Sequence, residues 1–397
     1  MEVLYISMMM PYKGAANGGA NTFLYYISGI ASDPRFHVTL IAKAQTEKEK
    51  DAAIENVNII PVQNSPISLR DPLQSLKDVA SKFYPFTREG NTLRNSVYVN
   101  IKKEIDRLSF IPDVIVLEFS QMLCLVDYIK RKFPKAKIWS SEHDVSFLWY
   151  QRKAASSKSY KQSYWGNLYQ YRKKWELNFL GKCDLIMPHN DKDAKLLIDS
   201  GIPSYKVKPI VPYYQHNIID RKPDYKTIIF YGAMNRPENY QSAIWFIENV
   251  LPLLNGEDIT FTIIGGHPDE SLRKFESERV QITGFVDDLN EYFSTCMCLV
   301  APLLLGAGIK IKILEAMYAG IPTLTNDIGI EGIPAKDKED YFFCDSPEQY
   351  ASVIKDIVSH KVDLDIISEN SKECIGDSFD MEQSLENYKN RLVGLEN

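Results

Sequence analysis

Gly306-Ala307-Gly308-Ile309-Lys310-Ile311-Lys312-Ile313-Leu314-Glu315-Ala316-Met317 follows the apolar run Leu299–Leu303, so a buried strand here enters a glycine loop that opens a helix. Such a turn aims backbone N–H groups and the positive helix end at an anion, typically phosphate. The helix is expected over Gly308–Ala319, with Gly308, Lys312, Glu315 and Ala319 on one stripe. Ile309, Ile313, Leu314 and Met317 make its surroundings apolar. A carboxylate in that setting is costly unless it has partners, and Lys312 or ligand hydroxyls would serve. From spacing alone, a Lys312–Glu315 pair that merely caps the loop fits as well as a ligand site.

Outward from this unit, short β-branched runs alternate with helical patterns along the whole chain. In the first half Val3–Met9, His37–Ala42, Val57–Val62, Asp113–Glu118, Lys137–His143, Asp184–Pro188 and Val207–Val211 read as strands. Asn21–Ile30, Gln121–Lys132 and Asp191–Asp199 read as amphipathic helices between them. The pattern restarts with strands at Thr227–Gly232, Ile259–Gly265, Val280–Gly284, Leu299–Leu303, Pro322–Asn326 and Tyr341–Cys344. Helices fit at Pro237–Leu251, Leu289–Thr295 and Pro347–Ser359. Such alternation implies parallel sheets with crossover helices on both faces.

A length of 397 residues suits two domains better than one core. The expected fold class is α/β, two doubly wound Rossmann-like domains facing a central cleft. Residues 1–217 would form the first and 224–375 the second, with the polar stretch around Pro223 between them. Residues 376–397 are expected to give a terminal helix that packs back on the first domain. Pro66, Pro72, Pro85 and Gly90 interrupt Ser65–Arg107, which reads as a mixed, partly mobile insertion. Ligands of doubly wound sheets bind beyond the carboxyl ends of the strands, so chemistry is expected there.

The composition, 45% hydrophobic and 25% charged, is that of a globular chain and argues against disorder. A net charge of -6 gives no reason to expect nucleic acid as a partner. The six cysteines lack zinc-site spacing and read as reduced thiols, mostly in apolar surroundings. Met1–Ile6 enters a strand without a charged leader, and no apolar run approaches the roughly 20 residues of a spanning helix. A cytoplasmic protein is therefore expected.

The opening segment, continued by Ala319-Gly320-Ile321-Pro322 and Asn326–Gly332, closely resembles the donor-binding signature of family 4 (group 1) glycosyltransferases. Within that family it resembles a subgroup with a Gly-x-Gly donor loop. Phe230–Asn239, Ile263–Gly266 and Thr283–Leu289 are similar to the family's preceding strands and loops, so the likeness runs from Phe230 to Gly332. It implies a GT-B architecture and a nucleoside diphosphate sugar as donor, with no metal and no cofactor. Carried over by position, Glu315 would bind ribose hydroxyls, and amides around Gly308 would face the diphosphate or sugar. Val286 would hold the base through its backbone. Arg236 and Lys312 would neutralise the diphosphate, with Lys310 as a further cation. Asn239, counted with the donor-binding residues, lies where the family has a lysine, and Ala307 where many members carry a second glutamate. The sugar is thus left open.

The first half agrees more loosely. Gly18-Gly19, after Met8-Met9-Met10-Pro11, fits a loop that in GT-B enzymes approaches the donor phosphate and acceptor; it also fits an ordinary strand–helix turn. His143, in Ser141-Glu142-His143-Asp144 at a strand's carboxyl end, corresponds to a family histidine reaching the transferred sugar and is the catalytic candidate. His189 ends another strand, and Glu176 begins a stretch of the family's usual shape. Across Tyr150–Lys182, Arg152, Lys153, Lys158, Lys161, Arg172, Lys173, Lys174 and Lys182 interleave with Tyr160, Tyr164, Trp165, Tyr169, Tyr171 and Trp175. Such a helix can lie on an anionic membrane surface or bind an acidic acceptor; it can equally pack its aromatics on the first domain.

The resemblance implies a retaining, hexosyltransferase-like enzyme that moves the sugar to a hydroxyl acceptor, which is a glycan or is lipid-linked or protein-linked. The expected setting is cell-surface polysaccharide or glycoconjugate synthesis, peripheral at the inner face of the membrane. A sugar-nucleotide epimerase or phosphorylase of the same plan stays open. So does a non-catalytic partner of another transferase, which Ala307 and the missing lysine favour and Glu315, Lys312 and His143 oppose.

Overall fold

The computed structural model describes residues 1–15, 18–64, 72–80, 94–306 and 308–394. The chain divides into two compact units, Met1–Tyr213 with Met381–Asn397, and Tyr214–Asp380.

In the first unit β1 (Glu2–Ser7), β2 (His37–Lys43), β3 (Val57–Val62), β4 (Val114–Glu118), β5 (Lys137–Glu142) and β6 (Leu185–Pro188) form one parallel sheet, ordered β3-β2-β1-β4-β5-β6. A parallel sheet covered on both faces needs strands that are apolar on both sides, and Val3, Leu4, Tyr5 and Ile6 are all buried. Alternation then assigns them. Leu4, Ile6, Ile115 and Leu117 join one core with the helices Asn95–Arg107 and Val126–Lys132. Val3, Tyr5, Val114 and Val116 join the other with the helix Gly18–Ala31.

The terminal helix Met381–Leu392 covers that second core. Met381, Ser384, Tyr388 and Leu392 recur at three- and four-residue spacing and are buried. The Tyr388 ring lies 5.8 Å from Trp139 and 5.5 Å from Tyr26, and its hydroxyl is 3.2 Å from that of Tyr5. The Tyr26 hydroxyl is 2.6 Å from Ser384 Oγ and donates to the Val211 carbonyl at 2.7 Å.

Three local expectations change. Val207–Val211 is not a strand: Val207 bridges Ile186, and Lys208 and Ile210 donate to the carbonyls of Ile186 and Pro188. Pro209 has no N–H, which restricts this segment to an edge. Gln121–Lys132 begins as a 3₁₀ turn, Ser120–Leu125, before its α-helix. Tyr150–Lys182 lies across two helices, Ser146–Ser156 and Tyr160–Leu180. Within Ser65–Arg107 the described parts are helices Pro72–Ala80 and Asn95–Arg107; 65–71 and 81–93 lie outside the described residues.

The second unit repeats the plan. β7 (Thr227–Tyr231), β8 (Thr260–Ile264), β9 (Val280–Gly284), β10 (Cys298–Ala301), β11 (Thr323–Thr325) and β12 (Phe342–Phe343) are parallel, ordered β12-β11-β10-β7-β8-β9. After β8, Gly265 has φ +157°, and a Cβ there would lie 1.7 Å from the Gly232 carbonyl oxygen. That close approach is open to glycine alone. The six cysteines are unpaired, with Cys183, Cys296, Cys298 and Cys344 buried.

The docking of the terminal helix rests on one ring more than any other. Tyr388→Ala is expected to destabilise the first unit by about 3–5 kcal/mol, the usual cost of emptying a buried aromatic site. Urea unfolding of the variant beside the parent, followed by near-ultraviolet circular dichroism, measures it.

Candidate active site

The second sheet reverses direction between β7 and β10, and side chains of the opening motif gather at the carboxyl end of that junction. Tyr231 ends β7, Gly232 and Asn239 follow it, and Lys312 and Glu315 come from the helix Ile311–Tyr318. Lys312 Nζ donates to Asn239 Oδ1 at 2.5 Å and lies 4.6 Å from the centre of the Phe230 ring. Asn239 in turn donates to the Ala233 carbonyl at 2.9 Å. Removal from water, reinforced by the Arg236 charge, pushes the Lys312 ammonium down to about 7. Gly232 has φ +151°, which disfavours any side chain, and a Cβ there would stand 2.8 Å from Lys312 Nζ and 2.9 Å from Asn239 Nδ2 and push both aside.

Glu315 accepts from the Gln215 N–H at 3.3 Å and from the Tyr231 hydroxyl at 3.1 Å; that hydroxyl is also 2.7 Å from the Lys312 carbonyl. Burial raises the Glu315 carboxyl above its usual range, against the pull of these donors. The Lys312–Glu315 pair that spacing allowed is therefore not formed, and two separate pairs stand in its place. Tyr231 supplies the reason: its hydroxyl occupies the space beside Glu315, and Lys312 turns to Asn239. The helix also starts three residues later than its pattern suggests. Gly308 is left-handed at φ +68° and Lys310 is extended, so Gly308 belongs to the loop and not to the helical stripe. Ala307 lies outside the described residues.

Of the other expected cations, Lys310 donates to the Gly308 carbonyl and sits 3.6 Å from the buried Glu331 carboxylate. Its charge is thus met within the loop. Arg236 is 56% exposed at the start of the helix Pro237–Asn249 and pairs with Glu238 at 2.6 Å. Val286 follows the left-handed Gly284 and packs on the cluster of Ile229, Tyr231 and Phe293, with Phe285 exposed beside it.

A second polar group lies beyond β4, β5 and β6 in the first unit. His143 Nε2 is 3.0 Å from Glu118 Oε2. The Phe119 ring stacks on the imidazole at 4.0 Å, and His189 meets it edge-on at 4.2 Å. Burial pushes Glu118 up to about 8 and His143 down to about 3. Gly18 and Gly19 form the first turn of the helix Gly18–Ala31, which has no acidic residue in that turn. Glu176 is structural: its carboxylate accepts the Ser146 N–H at 3.1 Å and the Ser146 hydroxyl, capping the helix Ser146–Ser156. Arg172 is buried against Trp175 and Tyr150, and Lys182 pairs with Asp127 at 2.8 Å, so part of the basic stretch faces inward. Among the described residues, no three or more His, Cys, Asp or Glu side chains are placed to hold a metal ion.

The sequence reading missed Tyr231, Glu118 and Glu331. Tyr231 and Glu118 end parallel strands, and that position was the available signal for both. Glu331 had none, since its pairing with Lys310 depends on how the loop folds.

Residues 225–360 match the family model of the glycosyl transferases group 1. The chain is 26% identical, over 177 residues, to the uncharacterised 44.6 kDa protein in the cps region of Klebsiella pneumoniae. That match covers 42% of this chain and 43% of the length of that relative. The fold is similar to that of HepE from Anabaena, solved with UDP and glucose, at TM-score 0.68 and 12% identity over 99% of both chains. It is similar also to sucrose-phosphate synthase from Thermosynechococcus elongatus, at TM-score 0.74 and 14% identity, covering 100% of this chain and 99% of that one. The architecture is GT-B.

Tyr231→Phe removes the hydroxyl beside a carboxylate that is largely out of water. The expected result is a loss of about 1–3 kcal/mol in the second unit, the penalty for leaving such an acceptor short of a partner. Chemical denaturation of the variant beside the parent measures it.

Proposed function

We propose that this chain, which carries a group 1 glycosyltransferase segment on a GT-B fold, moves a sugar from a nucleoside diphosphate sugar to a hydroxyl acceptor. The observation carrying this reading is the pairing of Lys312 with Asn239 and Glu315 with Tyr231 at the reversal of the second sheet. A carboxylate fixed by two donors is suited to ribose hydroxyls. A lysine freed from the carboxylate is suited to a diphosphate. In our reading Glu315 takes the ribose and Lys312 and Arg236 meet the diphosphate charge, aided by amides at Gly308 and at Gly18 and Gly19. Asn239 orients Lys312, and Val286 holds the base. Preorganised charge of this kind replaces a metal in stabilising the leaving diphosphate.

His143 is assigned to the transferred sugar, and the transfer proceeds with retention, following the resemblance to family 4. The acceptor is a glycan, or is lipid-linked or protein-linked, in cell-surface polysaccharide or glycoconjugate synthesis. The Klebsiella pneumoniae relative of the cps region supports that setting. The HepE complexes make UDP-glucose the first donor to test.

The test is calorimetry against a panel of nucleotide sugars, followed by turnover assays. Glu315→Ala is expected to weaken donor binding about 10–100-fold, the equivalent of losing hydrogen bonds to a charged group. His143→Ala should lower turnover while leaving donor affinity near that of the parent. Normal nucleotide binding by a folded Glu315→Ala protein would overturn the donor assignment.

The same reading places the protein in the cytoplasm, on the inner face of the membrane. Among the described residues no helix is long and apolar enough to cross one. Trp149, Tyr160 and Tyr164 are exposed, and Lys153, Lys158, Lys161, Tyr160 and Tyr164 line a common cavity where the helices Ser146–Ser156 and Tyr160–Leu180 meet. Aromatic rings with a polar edge beside lysines suit an anionic lipid surface. Sedimentation with phosphatidylglycerol vesicles at low salt is expected, and charge reversal at Lys158 and Lys161 should abolish it. Equal recovery of both proteins in the supernatant would remove this surface from the proposal.

A further inference from the structure

Glu118, His143 and His189 meet beyond the ends of three neighbouring strands, where packing alone would favour apolar side chains. The register explains how they come together. Glu118 ends β4 between Ser7 of β1 and Ser141 of β5, and His143 follows β5 by one residue. Glu118 is only 2% exposed, and its Oε2 lies 3.0 Å from His143 Nε2. Phe119, next in the chain, holds φ +71° and ψ 142°, a conformation costly for any residue but glycine. That strain lays its ring flat on the imidazole at 4.0 Å. On the other nitrogen, His143 Nδ1 is buried and has no hydrogen-bond partner among the described residues. One ring nitrogen is thus held, and the other meets no hydrogen-bonding group among the described residues.

A neutral imidazole carries one N–H, so the state of Glu118 decides which nitrogen bears it. A protonated Glu118 donates its O–H to Nε2, and the ring hydrogen must then sit on Nδ1. An ionised Glu118 accepts from Nε2–H, and Nδ1 keeps a bare lone pair. Passing from the first state to the second moves the carboxyl proton to Nε2 and releases the Nδ1 proton to solvent. One proton is lost in all.

We propose that Glu118 is a positioning residue that sets the tautomer of His143, making Nδ1 a donor when Glu118 is protonated and an acceptor when it is ionised. Burial works in the same direction, raising Glu118 to about 8 and holding His143 neutral. The groups that face Glu118 from the surrounding elements do not titrate between these states. Tyr5 from β1 and Tyr388 from the terminal helix are both held above the usual phenol range, largely by burial. His189, after β6, is held well below the usual imidazole range by burial and by His143. Ser141 of β5 carries no charge. Glu142 is on the opposite face of the sheet, taking the Ser140 hydroxyl and lying near Cys183. Around neutral pH, Nδ1–H is therefore a hydrogen-bond donor, and it becomes an acceptor as pH rises through about 8.

The inference rests on the proposed function solely for the identity of the ligand, a sugar hydroxyl. The tautomer itself belongs to the free protein. Histidine-selective ¹⁵N labelling of the whole chain, with His143 assigned by His143→Asn, reads it directly from pH 6 to pH 10. The expected result is an Nδ1–H form giving way to an Nε2–H form near pH 8. Glu118→Gln, which has no proton to lose, should show one form throughout. A parent protein whose His143 keeps one tautomer across the range would overturn the proposal, as would a Glu118→Gln protein that switches like the parent. The parent titration decides the matter even if the variant fails to fold. In turnover assays kcat should fall about tenfold per unit above the midpoint. Glu118→Gln should lack that limb, with donor KM unchanged. A tautomer switch without the alkaline limb would leave Glu118 as assigned and remove the sugar contact from His143.

Discussion

Both polar clusters follow from one topological constraint, the reversal of strand order in an all-parallel sheet. Each strand must return to the same end by a crossover, so every strand of a unit points its carboxyl end the same way. Where successive crossovers run outward in opposite directions, at β1/β4 and again at β7/β10, the flanking helices diverge beyond the strand ends. Side chains there are supported by buried strands yet are not packed over by the next helix. Ser7 beside Glu118 marks one reversal and Tyr231 the other. Function can be placed at such points because the strands below already meet the cost of holding them rigid.

The two clusters solve the same electrostatic problem differently. A charge taken from water is costly, and the usual remedy is an opposite charge in contact. Lys310 and Glu331 adopt that remedy, and they close the loop in doing so. Lys312 and Glu315 do not. Each is held by a neutral group, Asn239 for one and Tyr231 for the other, and each is displaced toward its uncharged form. Neither group has its charge met by an opposite charge in contact, and perturbed groups of this kind mark candidate sites. At Glu118 and His143 the displacement goes further, and the shared proton becomes the variable.

Much of the candidate site was legible in the sequence as residues, and the limits of that legibility are specific. Gly308, Lys312 and Glu315 stand out because a glycine loop, a cation and a carboxylate fall within eight residues of an apolar segment. Their partners do not stand out. Asn239 reads as the absence of an expected lysine, although it is the group that orients Lys312. His143 is visible at a strand end, while Glu118 is separated from it by 24 residues and a complete crossover. The basic stretch Tyr150–Lys182 illustrates the converse. Its composition is plain, but composition does not show that Arg172 points inward under Trp175 while Tyr160 and Tyr164 face water.

Period and punctuation in the sequence determined the twelve strands that form among the described residues and most of the helices, because burial on both faces demands continuous apolar runs and crossovers demand amphipathic ones. They also suggested a strand at Val207–Val211 that does not form. The pattern of Gly306–Met317 determined that a glycine loop precedes a helix. Pairing was decided by tertiary structure. Whether Glu315 met Lys312 or Tyr231, where the helix began after Gly308, and that Glu118 would reach His143 all depended on contacts between residues far apart in the chain. Local spacing fixes which faces are shared along one element. It carries no information about which side chain arrives from the next one.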